Sequence, residues 1–158
     1  LPESSATMAH MHPTPASPVA NIFTWPIRVY WEDTDAGGIV FYANYLKYFE
    51  RARTEWLRAL GLEQRVLQET TGCIFVVSEA NIKYLRSARL DDQLLVTAQL
   101  ADLGRSSFTI RQEARRLAQT SDGASTLLCT GSVRIGWVDG KTMKPARIPL
   151  GLQQTLQN

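Results

Sequence analysis

Residues 30 to 45 read YWEDTDAGGIVFYANY, the densest concentration in the chain of side chains able to do chemistry. Glu32, Asp33 and Asp35 stand just before two adjacent glycines, Gly37 and Gly38, and Tyr42 follows at the foot of the one strongly helical segment. A helix N-terminus carries backbone N–H groups without intrahelical partners and the positive end of the helix dipole. An oxygen that becomes anionic in a transition state is stabilised there. A carboxylate on the loop facing such a helix end is a minimal kit for acyl transfer, in which it attacks the acyl carbon or activates water. The same residues have a purely structural reading. Asp33, Thr34 and Asp35 are turn formers whose side chains bond nearby backbone N–H groups. Residue types and spacing leave both readings open. The glycine pair lacks the further spaced glycines of a dinucleotide loop, and no Gly-Lys-Ser/Thr follows it.

The elements that must hold this loop are legible on either side. Ile27, Val29 and Trp31 alternate with Arg28, Tyr30 and Glu32, which predicts a half-buried strand broken by Asp33–Gly38. From Ala43 to Leu60 the residues Leu46, Phe49, Trp56, Leu57 and Leu60 fall on one helical stripe, with Lys47, Arg51, Glu55 and Arg58 largely opposite. Asn44 is placed to cap this helix and Gly61 to end it. A short helix over Glu63–Glu69 follows. Four strands are predicted next, over Ile74–Tyr84, Leu94–Leu103, Ser106–Arg116 and Ser125–Val138, separated by turn signals at Leu90-Asp91-Asp92, Asp102-Leu103-Gly104 and Ser121-Asp122-Gly123. With no helical pattern between them, most neighbouring strands pair as antiparallel hairpins. The fold class is therefore α+β, one long helix covering the apolar face of about five strands. Strands this long in so small a domain leave edges to manage. Pairing two sheets edge to edge manages them, so a homodimer is the expected minimum unit.

At 158 residues, with 44% hydrophobic and 20% charged residues, the chain suits one globular domain. Residues 1–24, with four prolines and no apolar periodicity, are expected to be a flexible tail, and 25–158 a single domain. Both histidines, His10 and His12, fall in the tail with no third ligand nearby, so no metal site is expected. The formal net charge of +2 gives no electrostatic footprint for nucleic acid. No apolar run is long enough to span a bilayer. Cys73 and Cys129 are expected to be reduced, packed thiols in a cytoplasmic protein.

The block Glu32-Asp33-Thr34-Asp35-Ala36-Gly37-Gly38-Ile39-Val40-Phe41-Tyr42-Ala43-Asn44-Tyr45, continued by Phe49-Glu50-Arg51-Ala52-Arg53-Thr54-Glu55, resembles the hot-dog-fold acyl-CoA thioesterases. Within the 4-hydroxybenzoyl-CoA thioesterase family the resemblance is closest to the YbgC type, associated with the Tol-Pal system. It extends to Ala88–Asp92, Arg105–Phe108 and Met143–Pro145, and covers roughly residues 27–150. It implies a long central helix wrapped by a five-stranded, mainly antiparallel sheet, and hydrolysis of a thioester to a free acid and coenzyme A. No cofactor is implied, since coenzyme A is part of substrate and product. Asp35 matches the family's catalytic aspartate. Tyr42 occupies the position whose backbone N–H points at the thioester carbonyl. YbgC-type proteins often carry His there, whereas Tyr is found in the hydroxybenzoyl-CoA enzymes. The backbone donor survives that exchange and a side-chain proton transfer does not. Arg105, Ser106 and Ser107 match residues that bind the coenzyme A phosphates, against the plainer reading of a hairpin start with a solvated arginine. Arg86, Arg89 and Lys144 are weaker phosphate candidates. The resemblance also implies a homotetramer and admits acyl carrier protein as a partner.

Trp31, Trp56 and Trp137 are expected in the core or at subunit contacts. Glu50 reads as part of a polar helix face or as support for the site, and Ser78 and Asn81 as possible pocket lining. No histidine lies between residues 25 and 158, which argues against a hot-dog dehydratase. The other functional readings are a module that binds acyl-CoA or acyl carrier protein with little hydrolysis, and an envelope-linked scaffold.

Overall fold

The apolar stripe of the long helix dictates the layering. The computed structural model describes residues 21–158, in which β1 (Phe23–Arg28) leads through a 3-10 turn (Trp31–Asp33) to α1 (Asn44–Ala59) and α2 (Gln64–Thr71). Then follow β2 (Cys73–Tyr84), β3 (Gln93–Leu103), β4 (Ser107–Arg116), β5 (Thr126–Asp139) and α3 (Leu150–Leu156). The strands form one sheet in the order β1-β3-β4-β5-β2, with every pair antiparallel. This is the α+β class expected from the sequence and the arrangement the resemblance implies, but only β3–β4 and β4–β5 pair as neighbouring hairpins. β1 pairs with β3 and β2 with β5, because α1 and α2 separate β1 from β2 and β2 crosses to the far edge. The first twenty residues of the expected tail, with His10 and His12, lie outside the described residues.

The buried face of α1 is Tyr45, Tyr48, Phe49, Ala52, Arg53, Trp56 and Leu57, steps of three and four that keep one stripe toward the sheet. Leu46 is not on it. It stands 43% exposed, and Tyr45 and Tyr48 take the places toward the core. Asn44 is the first helical residue rather than the cap, which is Ala43. Gly61 ends the helix as expected. At φ 82° its N–H reaches the Arg58 carbonyl, and the Leu62 N–H reaches that of Leu57.

The helix lies close to the sheet because of two devices. Gly131 on β5 leaves room for the Phe49 ring, since a Cβ there would stand 2.5 Å from Phe49 Cε2. Beside it, Gln112 on β4 is fully buried and cross-links the layers. Arg53 Nη1 donates to Gln112 Oε1 at 2.9 Å, and Gln112 Nε2 donates to the carbonyls of Phe49 and Thr97 at 3.1 and 3.0 Å.

Trp56 and Trp137 are in the core as expected, while Trp31 is 80% exposed in the single chain and does not belong to the half-buried strand expected to include it. β1 stops at Arg28, so the alternation that buries Ile27 and Val29 does not carry on to Trp31, which opens the 3-10 turn instead. The sequence reading also missed α3. Leu152 and Leu156, four apart, bury against Trp56 and Ile148, and Pro149 precedes the first turn; those were the available signals.

Candidate active site

The loop between β1 and α1 is built from side-chain to backbone bonds. Asp33 is buried, and its Oδ2 accepts the Tyr30 N–H at 2.8 Å. Its carbonyl accepts both the Phe41 N–H at 2.9 Å and the Asn44 side-chain amide at 2.8 Å, which ties the loop to the first turn of α1. Asp35 and Ile39 close a tight turn, with the Asp35 N–H on the Ile39 carbonyl and the Gly38 N–H on the Asp35 carbonyl. Gly38 sits at φ 76°, a conformation that favours glycine. Both aspartates thus act as the turn formers of the structural reading.

That role leaves part of Asp35 available. Its Oδ1 accepts the Gly37 N–H at 2.8 Å, while Oδ2 takes no hydrogen bond among the described residues. One oxygen fixes the carboxylate and the other faces outward, since Asp35 is exposed in the single chain. At the other end of the loop, the Phe41 N–H is bonded to Asp33 and the Asn44 N–H to the Phe41 carbonyl. Between them, the backbone N–H of Tyr42 has no hydrogen-bond partner among the described residues. An unpaired amide at a helix foot and a carboxylate with a free oxygen therefore share one short loop. The Tyr42 side chain is 63% exposed and packs edge-on against Tyr84.

Beneath the loop, Tyr48 is fully buried and its hydroxyl makes no hydrogen bond of good geometry. Burial, and then the nearby Asp33 carboxylate, push its ionisation well above the ordinary tyrosine range. Burial likewise pushes Tyr45 up, against the lowering effect of the Ala88 N–H that its hydroxyl accepts at 3.1 Å.

Arg105 and Ser106 lie in the turn from β3 to β4 and Ser107 opens β4, with the turn closed by the Gly104 N–H on the Ser107 carbonyl. Arg105 is exposed. In one chain this turn does not meet Asp35. The 11 residues of β3 separate its β1–α1 loop end from the Arg105 end, roughly 30–35 Å of strand. Arg134, which sequence reasoning missed, reaches Ser107 Oγ at 3.4 Å and lines a polar cavity with Asn81, Ser132, Glu79 and Asp102. Its signal was the alternation of β5, which turns Ser132 and Arg134 to the face away from α1. Ser78 lies at a bulge in β2 and bonds the Arg134 carbonyl.

An apolar cavity of about 120 Å³ opens between α1 and β2, walled by Trp56, Leu57, Phe75, Phe108 and Ile135. Glu50, Arg53 and Thr54 edge it; the Thr54 hydroxyl donates to Glu50 Oε1 at 2.7 Å. Asp35 lines none of the principal cavities among the described residues. No cluster of three metal-ligating side chains is found among them, and no helix is long and apolar enough to cross a membrane.

Residues 37–121 match the model of the thioesterase superfamily. The acyl-CoA thioesterase YbgC of Haemophilus influenzae is 42% identical over 129 residues, spanning 82% of this chain and 90% of that protein. A probable thioesterase from Bartonella henselae, 30% identical, superposes with a TM-score of 0.69 over 82% of this chain and 100% of that one. The 4-hydroxybenzoyl-CoA thioesterase of Pseudomonas sp. strain CBS-3, at 23% identity, shares the fold with a TM-score of 0.78 over 86% and 99% of the two chains. Fold, loop and sequence agree that the chain belongs to the thioesterase superfamily.

Proposed function

We propose that the protein hydrolyses acyl-CoA thioesters to the free acid and coenzyme A, with Asp35 and the Tyr42 backbone N–H as its catalytic pair. The observation that carries this reading is the loop itself, which leaves one Asp35 oxygen and the Tyr42 amide at the helix foot unbonded while hydrogen bonds hold Gly37, Gly38, Val40 and Phe41 between them. The amide and the helix dipole stabilise charge on the thioester oxygen as the carbonyl carbon becomes tetrahedral. Asp35 supplies the electron pair at that carbon, directly or through a water it deprotonates. Collapse of the intermediate expels the coenzyme A thiolate. On the water route this releases the free acid, and on the direct route it leaves an acyl–Asp35 anhydride that water then cleaves to the free acid and the regenerated carboxylate.

A second copy of the chain completes the site in this reading. β2 is an edge strand of 12 residues without proline, whereas the opposite edge, β1, has six residues including Pro26. Proline removes a ladder donor, so β2 is the edge suited to pairing. Antiparallel β2–β2 pairing reverses the sheet direction. It brings the partner's β3–β4 turn and α1–β2 cavity toward this chain's Asp35 loop, which gives Arg105, Ser106 and Ser107 a place beside the coenzyme A phosphates and the apolar cavity a place beside the acyl group. A homotetramer would stack two such dimers.

The test is turnover of short, long and aromatic acyl-CoAs by the wild type and by Asp35→Asn. The variant should lose about 10²- to 10⁴-fold in kcat while keeping its fold and its affinity for coenzyme A. Near-normal turnover would reduce Asp35 to the turn former it also is. Tight binding with slow hydrolysis of every acyl-CoA, unchanged in the variant, would instead support an acyl-CoA or acyl-carrier-protein binding module. A single turnover in heavy-oxygen water separates the chemical routes, because label entering the Asp35 carboxylate marks direct attack.

A further inference from the structure

We propose that Tyr84 is a positioning residue for the thioesterase reaction, holding the peptide on which the Tyr42 amide is presented; the inference rests on the catalytic pair proposed above. Tyr84 ends β2, where it pairs with Cys129 on β5, and so belongs to the sheet rather than to the loop. Its hydroxyl donates to the Tyr42 carbonyl at 3.0 Å across 42 residues of sequence. Its ring meets the Tyr42 ring edge-on, with centroids 6.0 Å apart and planes at 87°, and meets Tyr45 on α1 at 5.7 Å.

Two peptide planes flank the Tyr42 Cα. The plane that carries the Tyr42 N–H has its carbonyl, that of Phe41, held by the Asn44 N–H at 2.9 Å. The following plane has its carbonyl held by Tyr84. With both carbonyls bonded, neither plane can rotate without breaking a hydrogen bond, and the free N–H has a fixed direction. Without the hydroxyl only the first restraint remains, and the turn formed by residues 42 and 43 regains freedom just before the helix begins. Preorganised donors stabilise an oxyanion because they need no reorientation as charge develops. An amide that must reorient forfeits part of that stabilisation in the transition state and little of it in the ground state. Burial, together with the neighbouring Cys129 and Tyr42, raises the ionisation of Tyr84, so the phenol stays a donor across the neutral range.

Tyr84→Phe removes the donor and keeps the ring. In steady-state hydrolysis of a preferred acyl-CoA, kcat should fall about tenfold with KM within about twofold and with melting temperature essentially unchanged. The amide cross-peaks of Tyr42 and Ala43 should shift in the nitrogen–proton correlation spectrum, a change that a general loss of stability would spread over the whole spectrum. A kcat within twofold of wild type, a rise in KM matching the loss in kcat/KM, or unmoved Tyr42 and Ala43 amides would each overturn the assignment. Asp35→Asn, measured alongside, separates the two layers. If that variant stays active while Tyr84→Phe shows the predicted split, the positioning role stands and the role of Asp35 falls. If Asp35→Asn is inactive and Tyr84→Phe is normal, only the Tyr84 proposal fails.

Discussion

Replacing Gln112 with leucine should destabilise the protein by about 2–4 kcal/mol, because three buried hydrogen bonds meet at this one side chain. The bond from Arg53 is charge-assisted and counts for about 1.5–3 kcal/mol, and the two amide bonds to Phe49 and Thr97 for about 1 kcal/mol each. A buried leucine returns about 1–2 kcal/mol of apolar transfer. The penalty concentrates on Arg53, which is only 9% exposed and whose pKa burial already lowers, with Glu50 partly restoring it. A guanidinium deprived of its acceptor in such a place is costly. Urea unfolding at fixed protein concentration should show the loss as a lower midpoint, and melting should drop by about 5–15 °C for a chain of this size. Replacing both partners, as Arg53→Met with Gln112→Leu, should recover at least half of the loss, because no buried charge is left unpaired. The reasoning fails if Gln112→Leu lies within about 0.5 kcal/mol of wild type. It fails equally if the double variant is less stable than wild type by the sum of the two single losses.

Gly131→Ala should be worse than a methyl group suggests, costing about 1–3 kcal/mol and lowering kcat, since its Cβ would stand 2.5 Å from Phe49 Cε2 and force α1 off the sheet; unchanged activity and stability would show that the helix adjusts freely. Stability should decline as the pH rises from about 9. Cys129 is pushed by burial from its ordinary 9.0 up to about 12, and Tyr45 and Tyr48 are raised from 10.0, so the folded state keeps protons that the unfolded chain releases. Urea midpoints that stay level up to pH 11 would contradict this. At pH 8, Cys129 should resist a thiol reagent until the protein unfolds, being fully buried and un-ionised; equal labelling of Cys73 and Cys129 in the native protein would count against it.

Periodicity wrote most of the fold into the chain. A helix exposes its i, i+3 and i+4 positions to one side and a strand alternates, so α1, the strands and the β3–β4 and β4–β5 hairpins follow from neighbours along the sequence, whereas the pairing of β1 with β3 and of β2 with β5 does not. The Asp35–Tyr42 spacing was equally local, because a loop and the helix it enters are covalently continuous. What escaped the sequence was decided across the sheet. Nothing in the order of residues says that β1 stops at Arg28 and leaves Trp31 outside, or that Tyr45 and Tyr48 displace Leu46 from the buried stripe. Nor does it say that Arg53 and Gln112, 59 residues apart, share the core, or that the Tyr84 hydroxyl reaches the Tyr42 carbonyl. Such partners depend on strand register and on the distance between helix and sheet. Those are set by the packing of whole surfaces, as with the notch that Gly131 leaves for Phe49, and one chain read residue by residue contains no measure of them.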